Sequence, residues 1–567
     1  MKKKLIFKIL LLIVSNLLFS QEALKSNEDE YYDFLSLQGI VERKTLNFKT
    51  LNDSKWQIKE ETDHVWKNNN LGNVITILES NNKTNNWFTK DFFNGIKFKI
   101  FGVEWFNSFN TKTPFGQNDG ALWQGRGYNT NITSGFYIET FGFELTFKPN
   151  LYYSQNLQFD LMPVNGDNPY KYFYGNIDAP QRFGNKSLIG FDFGDSNIRF
   201  NWKSFTIGFG THSIWLGPAH ENALLHSNHA PNYPKIDIGI KRTKLIVPKL
   251  NWNLGEIEAR MWLGYLSESN FFDTDNKNDH NQIVGFSVSY SPPFLKTLTI
   301  GINKVCLSKW DDPKHFNYLN PFYSQNTLNT PYGEDQKASI VASWLFTKVG
   351  LEIYGEIGFD DFLSEGIALY GYARYPFHTI TYTFGLKEGF KISKKNNIYG
   401  LINFEWNFTE MSQDYQMWGT YNFGFHHQIQ QGYTNKGQWL GSGIGYGGNS
   451  QVLSFTLYHK KGFAKIKVGR NNPDNNYIYQ MCINGNENEI ANKYFTAFKA
   501  NFYLGLETLT FVTKEVALNF GFLYNLVINP LYNPGYSYTS TNGQKTYRKY
   551  NYLHNFRFTW RLKYNIN

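Results

Sequence analysis

The stretch VALNFGFLYNL, residues 516–526, alternates without a break. Val516, Leu518, Phe520, Phe522, Tyr524 and Leu526 fall on one side, and Ala517, Asn519, Gly521, Leu523 and Asn525 on the other. Successive side chains of an extended chain point to opposite faces, so this is a strand with one apolar face and one small or polar face. The pattern recurs at the end of the chain, where Phe556, Phe558, Trp560, Leu562 and Tyr564 oppose Asn555, Arg557, Thr559, Arg561 and Lys563. It recurs again where Ile402, Phe404, Trp406 and Phe408 oppose Asn403, Glu405 and Asn407, and where Leu351, Ile353, Ile357 and Phe359 oppose Glu352, Tyr354 and Glu356. Charge opposite large aromatics separates two architectures. A soluble sandwich buries its apolar faces against a second sheet, whereas a membrane barrel turns them to lipid and its polar faces to a wet lumen. Aromatic residues make up 18% of the chain, with 50 Phe, 38 Tyr and 15 Trp. A sandwich or β-helix explains the alternation but not that load, which interface girdles would use. The expected fold is all-β: a transmembrane antiparallel β-barrel.

The N-terminus sets the compartment. Lys2, Lys3 and Lys4 precede an apolar run from Leu5 to Phe19 broken by Lys8, Ser15 and Asn16, and Ser20 supplies a small residue before Gln21. This predicts a secretory signal peptide over 1–20. No later run reaches the roughly 18 apolar residues of a membrane helix, and mean hydropathy is −0.46. Between Asp29 and Val41 the spacing of Tyr31, Phe34, Leu35, Leu37 and Ile40 predicts a short helix closed by Gly39, with Glu28, Asp29 and Glu30 at its favourable end. Residues 21–92 therefore read as a small periplasmic or plug subdomain and 93–567 as the barrel. At about 25 residues per strand and connection, the barrel segment predicts on the order of 18 strands. Polar stretches such as Leu307 to Gln336 read as outer loops. The formal charge of +9 includes four leader lysines, leaving about +5. That mild excess suits an anionic partner such as lipopolysaccharide or an acidic glycan, or simply a basic surface. Cys306 and Cys482 are the only cysteines, one conceivable bridge.

No signature of turnover emerges. His212, His220, His226 and His229 crowd one segment with Glu221, but their spacing matches no compact ligand motif, so ordinary loop histidines are expected and no metal. Nucleophile elbows, phosphate loops and dinucleotide fingerprints are absent. The pairs Asp360–Asp361 and Glu352–Glu356 are expected to line the lumen, because one strand rarely supplies a whole glycosidase site. Neither catalysis, a cofactor nor nucleic-acid binding is expected.

Five ordered blocks carry a resemblance. Asn118-Asp119-Gly120-Ala121-Leu122-Trp123-Gln124-Gly125-Arg126-Gly127 comes first, then Asp178-Ala179-Pro180-Gln181-Arg182-Phe183-Gly184. Trp215-Leu216-Gly217-Pro218 leads to Leu224-Leu225-His226-Ser227-Asn228-His229-Ala230-Pro231, followed by Glu352-Ile353-Tyr354-Gly355-Glu356 with Asp360-Asp361. Gly432-Tyr433-Thr434-Asn435-Lys436-Gly437-Gln438-Trp439-Leu440-Gly441, with Gly445 to Asn449, completes the set. Together they resemble the Wzi capsule-assembly family. The resemblance implies an 18-stranded outer-membrane barrel with an N-terminal helical plug in a Gram-negative bacterium. It further implies a lectin-like protein that attaches or organises capsular or exopolysaccharide, with capsule export machinery as a further expected partner. Sugar rings stack their C–H faces on aromatics and bond their hydroxyls to amide, carboxylate and guanidinium groups. Polar, glycine-rich segments that combine both kinds of group nominate Trp123, Arg126, Tyr128, Arg182, Trp215, His220, Asn222, Tyr433, Asn435, Gln438 and Trp439. The alternative is a diffusion porin or polysaccharide-export channel, and the N-terminal subdomain argues instead for a closed lumen.

Overall fold

Alternation produces the wall. The computed structural model describes residues 18–19, 25–53, 56, 62–69, 73–79, 86–89, 92–164, 166–323, 333–360, 377, 379–411, 422–483, 494–538, 545–547 and 549–565. The predicted signal peptide lies outside these, apart from Leu18–Phe19, which are set beside Val74 and Asn73. Among the described residues eighteen antiparallel wall strands close on themselves, as the strand spacing predicts.

In chain order the first wall strands are β1 (Gly95–Asn110), β2 (Gly127–Thr140), β3 (Phe143–Phe147 continued by Asn150–Ser154), β4 (Leu188–Asp192 continued by Asn197–Trp202), β5 (Phe205–Gly210) and β6 (Lys235–Val247). Next come β7 (Trp252–Ser267), β8 (His280–Ser291), β9 (Leu298–Lys309), β10 (Glu334–Phe346), β11 (Leu351–Asp360) and β12 (Ile380–Ser393). The last are β13 (Ile398–Phe408), β14 (Asn449–His459), β15 (Gly462–Asn472), β16 (Ala500–Phe511), β17 (Val516–Ile528) and β18 (Tyr552–Tyr564). Closure is the pairing of β18 with β1, in which Arg557 faces Asn110 and Tyr564 faces Val103. Closing the sheet removes every free edge, which a bilayer would penalise. A shorter strand, Asn73–Glu79, pairs with the first residues of β1, so the N-terminal region also meets the wall.

The strand faces fall as the alternation requires. Phe520, Phe522, Phe556, Phe558, Trp406 and Ile353 are exposed on the outside, where lipid would cover them, while Asn519, Asn525, Asn555, Glu352, Glu356 and Glu405 are buried inside. Among the described residues no helix is long and apolar enough to cross a membrane. Connections are short at one end, as at 203–204 and 460–461, and long at the other, which is the periplasmic and extracellular polarity of outer-membrane barrels. The outer connection read as Leu307 to Gln336 is shorter than the sequence suggested. Leu307 pairs with Asp335 and Ser308 with Glu334, so strands occupy both ends of that stretch. Cys306 lies in β9 and Cys482 in a helix of the 473–499 connection, and both are thiols.

Inside the wall, helix α1 (Asn27–Leu37) starts at Ser26, whose hydroxyl accepts from the Asp29 amide at 3.2 Å. Its predicted acids do more than complement the dipole. Glu30 binds Lys465 of β15 at 2.7 Å, Glu28 binds Lys563 of β18, and Asp29 binds Lys49 at 2.7 Å. Aromatic side chains pack beside these acids: Phe34 stacks on Tyr458 at 4.7 Å, and Tyr31 stacks on Trp66 at 3.9 Å. Beyond α1, Arg43 forks onto Glu352 of β11 at 2.5 and 2.7 Å, so that glutamate pairs with the N-terminal segment.

Three wall carboxylates hold the main chain of inner segments. Glu258 accepts from the amides of Leu46, Asn47 and Phe48 at 2.7–2.9 Å. Glu356 accepts from Leu224 at 3.0 Å. Glu405 accepts from His220, Glu221 and Asn222 at 2.6, 3.0 and 2.8 Å, and from the Tyr354 hydroxyl at 2.9 Å. An ionised carboxylate offers about four acceptor sites, which suits it to a turn with several unpaired amides. The 211–234 connection is thereby drawn into the lumen. Asp361, the other half of the Asp360 pair, lies outside the described residues; Asp360 binds Lys337 at 2.6 Å.

Candidate functional site

The long connections enclose a cavity of about 1080 Å³ at the extracellular end, between the 111–126, 155–187, 437–445 and 473–499 segments and the upper ends of β15 to β18. Its walls are built locally. Asn110, at the end of β1, donates to the carbonyls of Gln124 and Gly125 at 3.2 and 3.1 Å, and so holds the loop that carries Trp123. Gln124 bonds Asp119 at 2.6 Å and accepts from Arg557 of β18 at 3.0 Å. On the facing side, Asn435 and Gln438 close a two-residue hairpin through Lys436 and Gly437, with φ of 50° and 80°. Positive φ at both central positions is the hairpin turn that glycine favours. A Cβ on Gly437 would also lie 2.8 Å from the Phe183 ring, so this turn admits little else. The hairpin places Gln438 and Trp439 on the cavity wall, and Gln438 ties it to the first loop through the Gly120 carbonyl at 3.2 Å.

The cavity gathers Trp123, Arg126, Gln438 and Trp439 of the sequence-nominated residues. Trp123 meets Phe183 edge-on at 5.2 Å; Trp439 is partly buried, edge-on to Tyr446 at 5.3 Å and to Tyr172 at 6.1 Å. Arg126 donates to the Thr111 carbonyl at 3.1 Å and to that of Gln158.

The remaining seven are placed elsewhere. Tyr128 stands at the top of β2 and donates to Asn107 at 2.5 Å. Arg182 is buried behind the cavity and donates to the Asn156 carbonyl at 2.7 Å. Trp215 is buried in the lumen beneath Lys25, whose ammonium lies 4.4 Å from the ring. His220 sits between Glu30 at 3.4 Å and Glu221 at 3.3 Å. Asn222 accepts from Gln117 of the 111–126 loop at 2.7 Å. Tyr433 donates to the Leu225 carbonyl at 2.7 Å, and Asn435 donates to that of Pro231 at 2.9 Å; both are buried. Asn222, Tyr433 and Asn435 each join one loop to another, whereas Tyr128 bridges two wall strands and Arg182 braces its own loop. The other histidines are likewise dispersed: His212 meets Asp237 at 3.3 Å, His226 lies between the Ile214 carbonyl and the Tyr233 hydroxyl at 2.8 Å each, and His229 accepts from the Asn118 amide at 3.3 Å.

Tyr172, Asp474, Lys499 and Asn501 also line the cavity, and the sequence did not nominate them. Tyr172-Phe173-Tyr174 is an aromatic run in a polar segment, a signal of the kind that singled out Trp123. Asp474 had none, because its partners lie about 300 residues away: the hydroxyls of Tyr172 and Tyr174, the latter at 2.8 Å. Burial raises the Asp474 carboxyl to about 7 against the lowering effect of those two hydroxyls. Burial lowers the neighbouring Lys499 ammonium to about 8, opposed by Asp474. A carboxyl whose folded pKa exceeds its unfolded value contributes stability that is complete below about pH 4. That contribution is lost as pH rises through about 7. The native protein should therefore lose roughly 2–4 kcal/mol of stability from this group between pH 4 and 8. D474N should flatten that part of the profile in denaturant titrations; an unchanged slope would show that Asp474 is not its source.

Set beside known proteins, the chain matches the model of the family described as capsule assembly protein Wzi over residues 108–477. No curated protein sequence matches it. Among solved structures it is similar to Wzi of Escherichia coli, described as an outer-membrane protein involved in group 1 capsule assembly and a carbohydrate-binding β-barrel. The TM-score is 0.52 at 12% identity, over 82% of this chain and 85% of that one. OpdK of Pseudomonas aeruginosa, crystallised with vanillate, follows at a TM-score of 0.36 and 7% identity, over 84% of this chain and 99% of that one.

Proposed function

The chain belongs to the Wzi capsule assembly family, and from that premise we propose that it is an outer-membrane lectin that holds capsular or exopolysaccharide at the cell surface. The observation that carries this reading is the extracellular cavity, where Trp123 and Trp439 stand with Arg126, Gln438, Asn501 and Asp474. At about 1080 Å³ it accommodates a few sugar residues, and it opens toward the space into which a surface polymer extends. Aromatic faces serve the apolar side of a sugar and the polar groups serve its hydroxyls.

The role is binding without turnover, and it requires no cofactor. The N-terminal subdomain, read as residues 21–92, serves as the plug: α1 on Lys465 and Lys563, Arg43 on Glu352, and the 211–234 connection on Glu356 and Glu405 occupy the lumen, which supports a closed barrel over a diffusion porin or export channel. The partners are the polysaccharide itself, lipopolysaccharide around the wall, and the export machinery that delivers the polymer. The test is a titration of the detergent-solubilised protein with native capsule from the same organism. Tryptophan fluorescence should change saturably, whereas neutral dextran should leave it unchanged. Equal responses to both polymers would remove the lectin reading.

A further inference from the structure

On the lipid-facing surface the outer half of the wall carries a second concavity, a shallow trough of about 540 Å³ across β13 to β17. Its origin is a mismatch in side-chain size. Opposite residues Leu453 and Val468, on β14 and β15, are flanked laterally by Phe404 of β13 and by Leu504 and Tyr524 of β16 and β17. Short aliphatic groups between aromatic ones leave a furrow that is almost wholly apolar. Leu453, Val468, Phe502 and Leu504 are exposed, so bilayer and not protein fills it.

One row nearer the extracellular rim, Arg470 of β15 stands opposite Gln451 of β14. It shares the outward face with Val468 and lies beside Phe502 of β16. Its guanidinium is held in place: one terminal nitrogen donates to Asn449 at 2.9 Å and to Gln451 at 2.8 Å. Among the described residues its Nη2 and Nε groups donate to no acceptor, which leaves them for a ligand. The carboxylate of Glu410 accepts from Asn449, the same residue that accepts from Arg470. An arginine in a membrane wall is costly unless it is paired or reaches the interface, and a planar donor fork suits phosphate.

We propose that this trough and Arg470 form a binding site for a phosphorylated, multiply acylated glycolipid of the outer leaflet, with an acyl chain over Leu453 and Val468 and a phosphate on the guanidinium. The site lies outside the barrel, away from the saccharide cavity, and is independent of the lectin reading. It would seat the barrel against the lipid matrix of the outer leaflet.

The test uses the full-length protein, delipidated in detergent and mixed with diphosphorylated lipid A or with phosphatidylethanolamine, and counts bound lipids by native mass spectrometry. The wild type should retain one lipid A at concentrations where phosphatidylethanolamine is lost. R470Q should need about tenfold more lipid A, the equivalent of about one charge-assisted hydrogen-bond pair, and R470K less than that. L453W, which fills the trough and leaves Arg470 in place, should weaken retention comparably. Heat-modifiable mobility reports folding, and if R470Q does not fold, L453W and V468W decide the question. Retention of both lipids alike, or wild-type retention by folded R470Q and L453W, would make Arg470 an ordinary interfacial arginine and overturn the proposal. Replacing Trp123 and Trp439 should leave lipid A retention unchanged, so failure of this site and failure of the lectin reading are separable.

Discussion

Replacing Glu405 by Ala is expected to release the loop that crosses the lumen and to raise single-channel conductance well above that of the wild type. Five donors converge on this one carboxylate: the backbone amides of His220, Glu221 and Asn222, the side-chain amide of Asn222 and the hydroxyl of Tyr354. Removing the acceptor leaves them buried and unsatisfied, at about 1–3 kcal/mol each before relaxation. Breaking a buried charged contact of this kind costs about 3–5 kcal/mol. The rest of the loop stays tied, through Leu224 on Glu356 at 3.0 Å, the Leu225 carbonyl on Tyr433 at 2.7 Å and the Pro231 carbonyl on Asn435 at 2.9 Å, so it is the turn at 220–222 that should leave the lumen in part of the population. Bilayer recordings and limited proteolysis within 211–234 measure this directly. E405Q keeps an acceptor oxygen and should lie between the two. Wild-type conductance and protease resistance in E405A would mean that the loop is held mainly by its apolar contacts with the β8 and β9 walls.

The second large effect is on polymer retention. Cells expressing the W123A/W439A double variant should shed capsule into the medium while barrel quantity and heat-modifiability stay normal. Both rings line the extracellular cavity, and neither belongs to a wall strand. Aromatic stacking contributes about 0.5–1.5 kcal/mol per contact beyond area burial, so two losses weaken binding roughly five- to a hundredfold. Trp439 also packs against the buried cluster around Tyr433 and Tyr446, which makes W123A alone the cleaner single variant. Trp215 is unsuitable for this experiment despite its place in a glycine-rich segment. It is buried, its ring nitrogen donates to the Ala219 carbonyl at 3.1 Å, and its loss would disturb the lumen. A double variant that folds and keeps its capsule would assign both rings to loop structure and move the binding face elsewhere.

The wall was legible in the sequence because a period of two is a local property. Val516 to Leu526 and Phe556 to Tyr564 state which side chains face outward before any partner strand is known, and the structure keeps every one of those assignments. The helix at Asn27–Leu37 was legible for the same reason, through its spacing and its acidic first turn. Residue type and a polar, glycine-rich setting also picked out Trp123 and Trp439, but they picked out Trp215, Tyr433 and Asn435 on equal terms. Only tertiary structure separated the two groups, because which loop folds inward depends on acceptors hundreds of residues away. Glu405 meets Asn222 across 183 positions, and Asp474 meets Tyr174 across 300. No window along the chain contains both members of such a pair. The sequence by itself therefore determined a lipid-facing barrel and its inner and outer faces. The filling of that barrel, and the cavity left open above it, came from long-range hydrogen bonds, since every amide buried in the filled lumen must find an acceptor there.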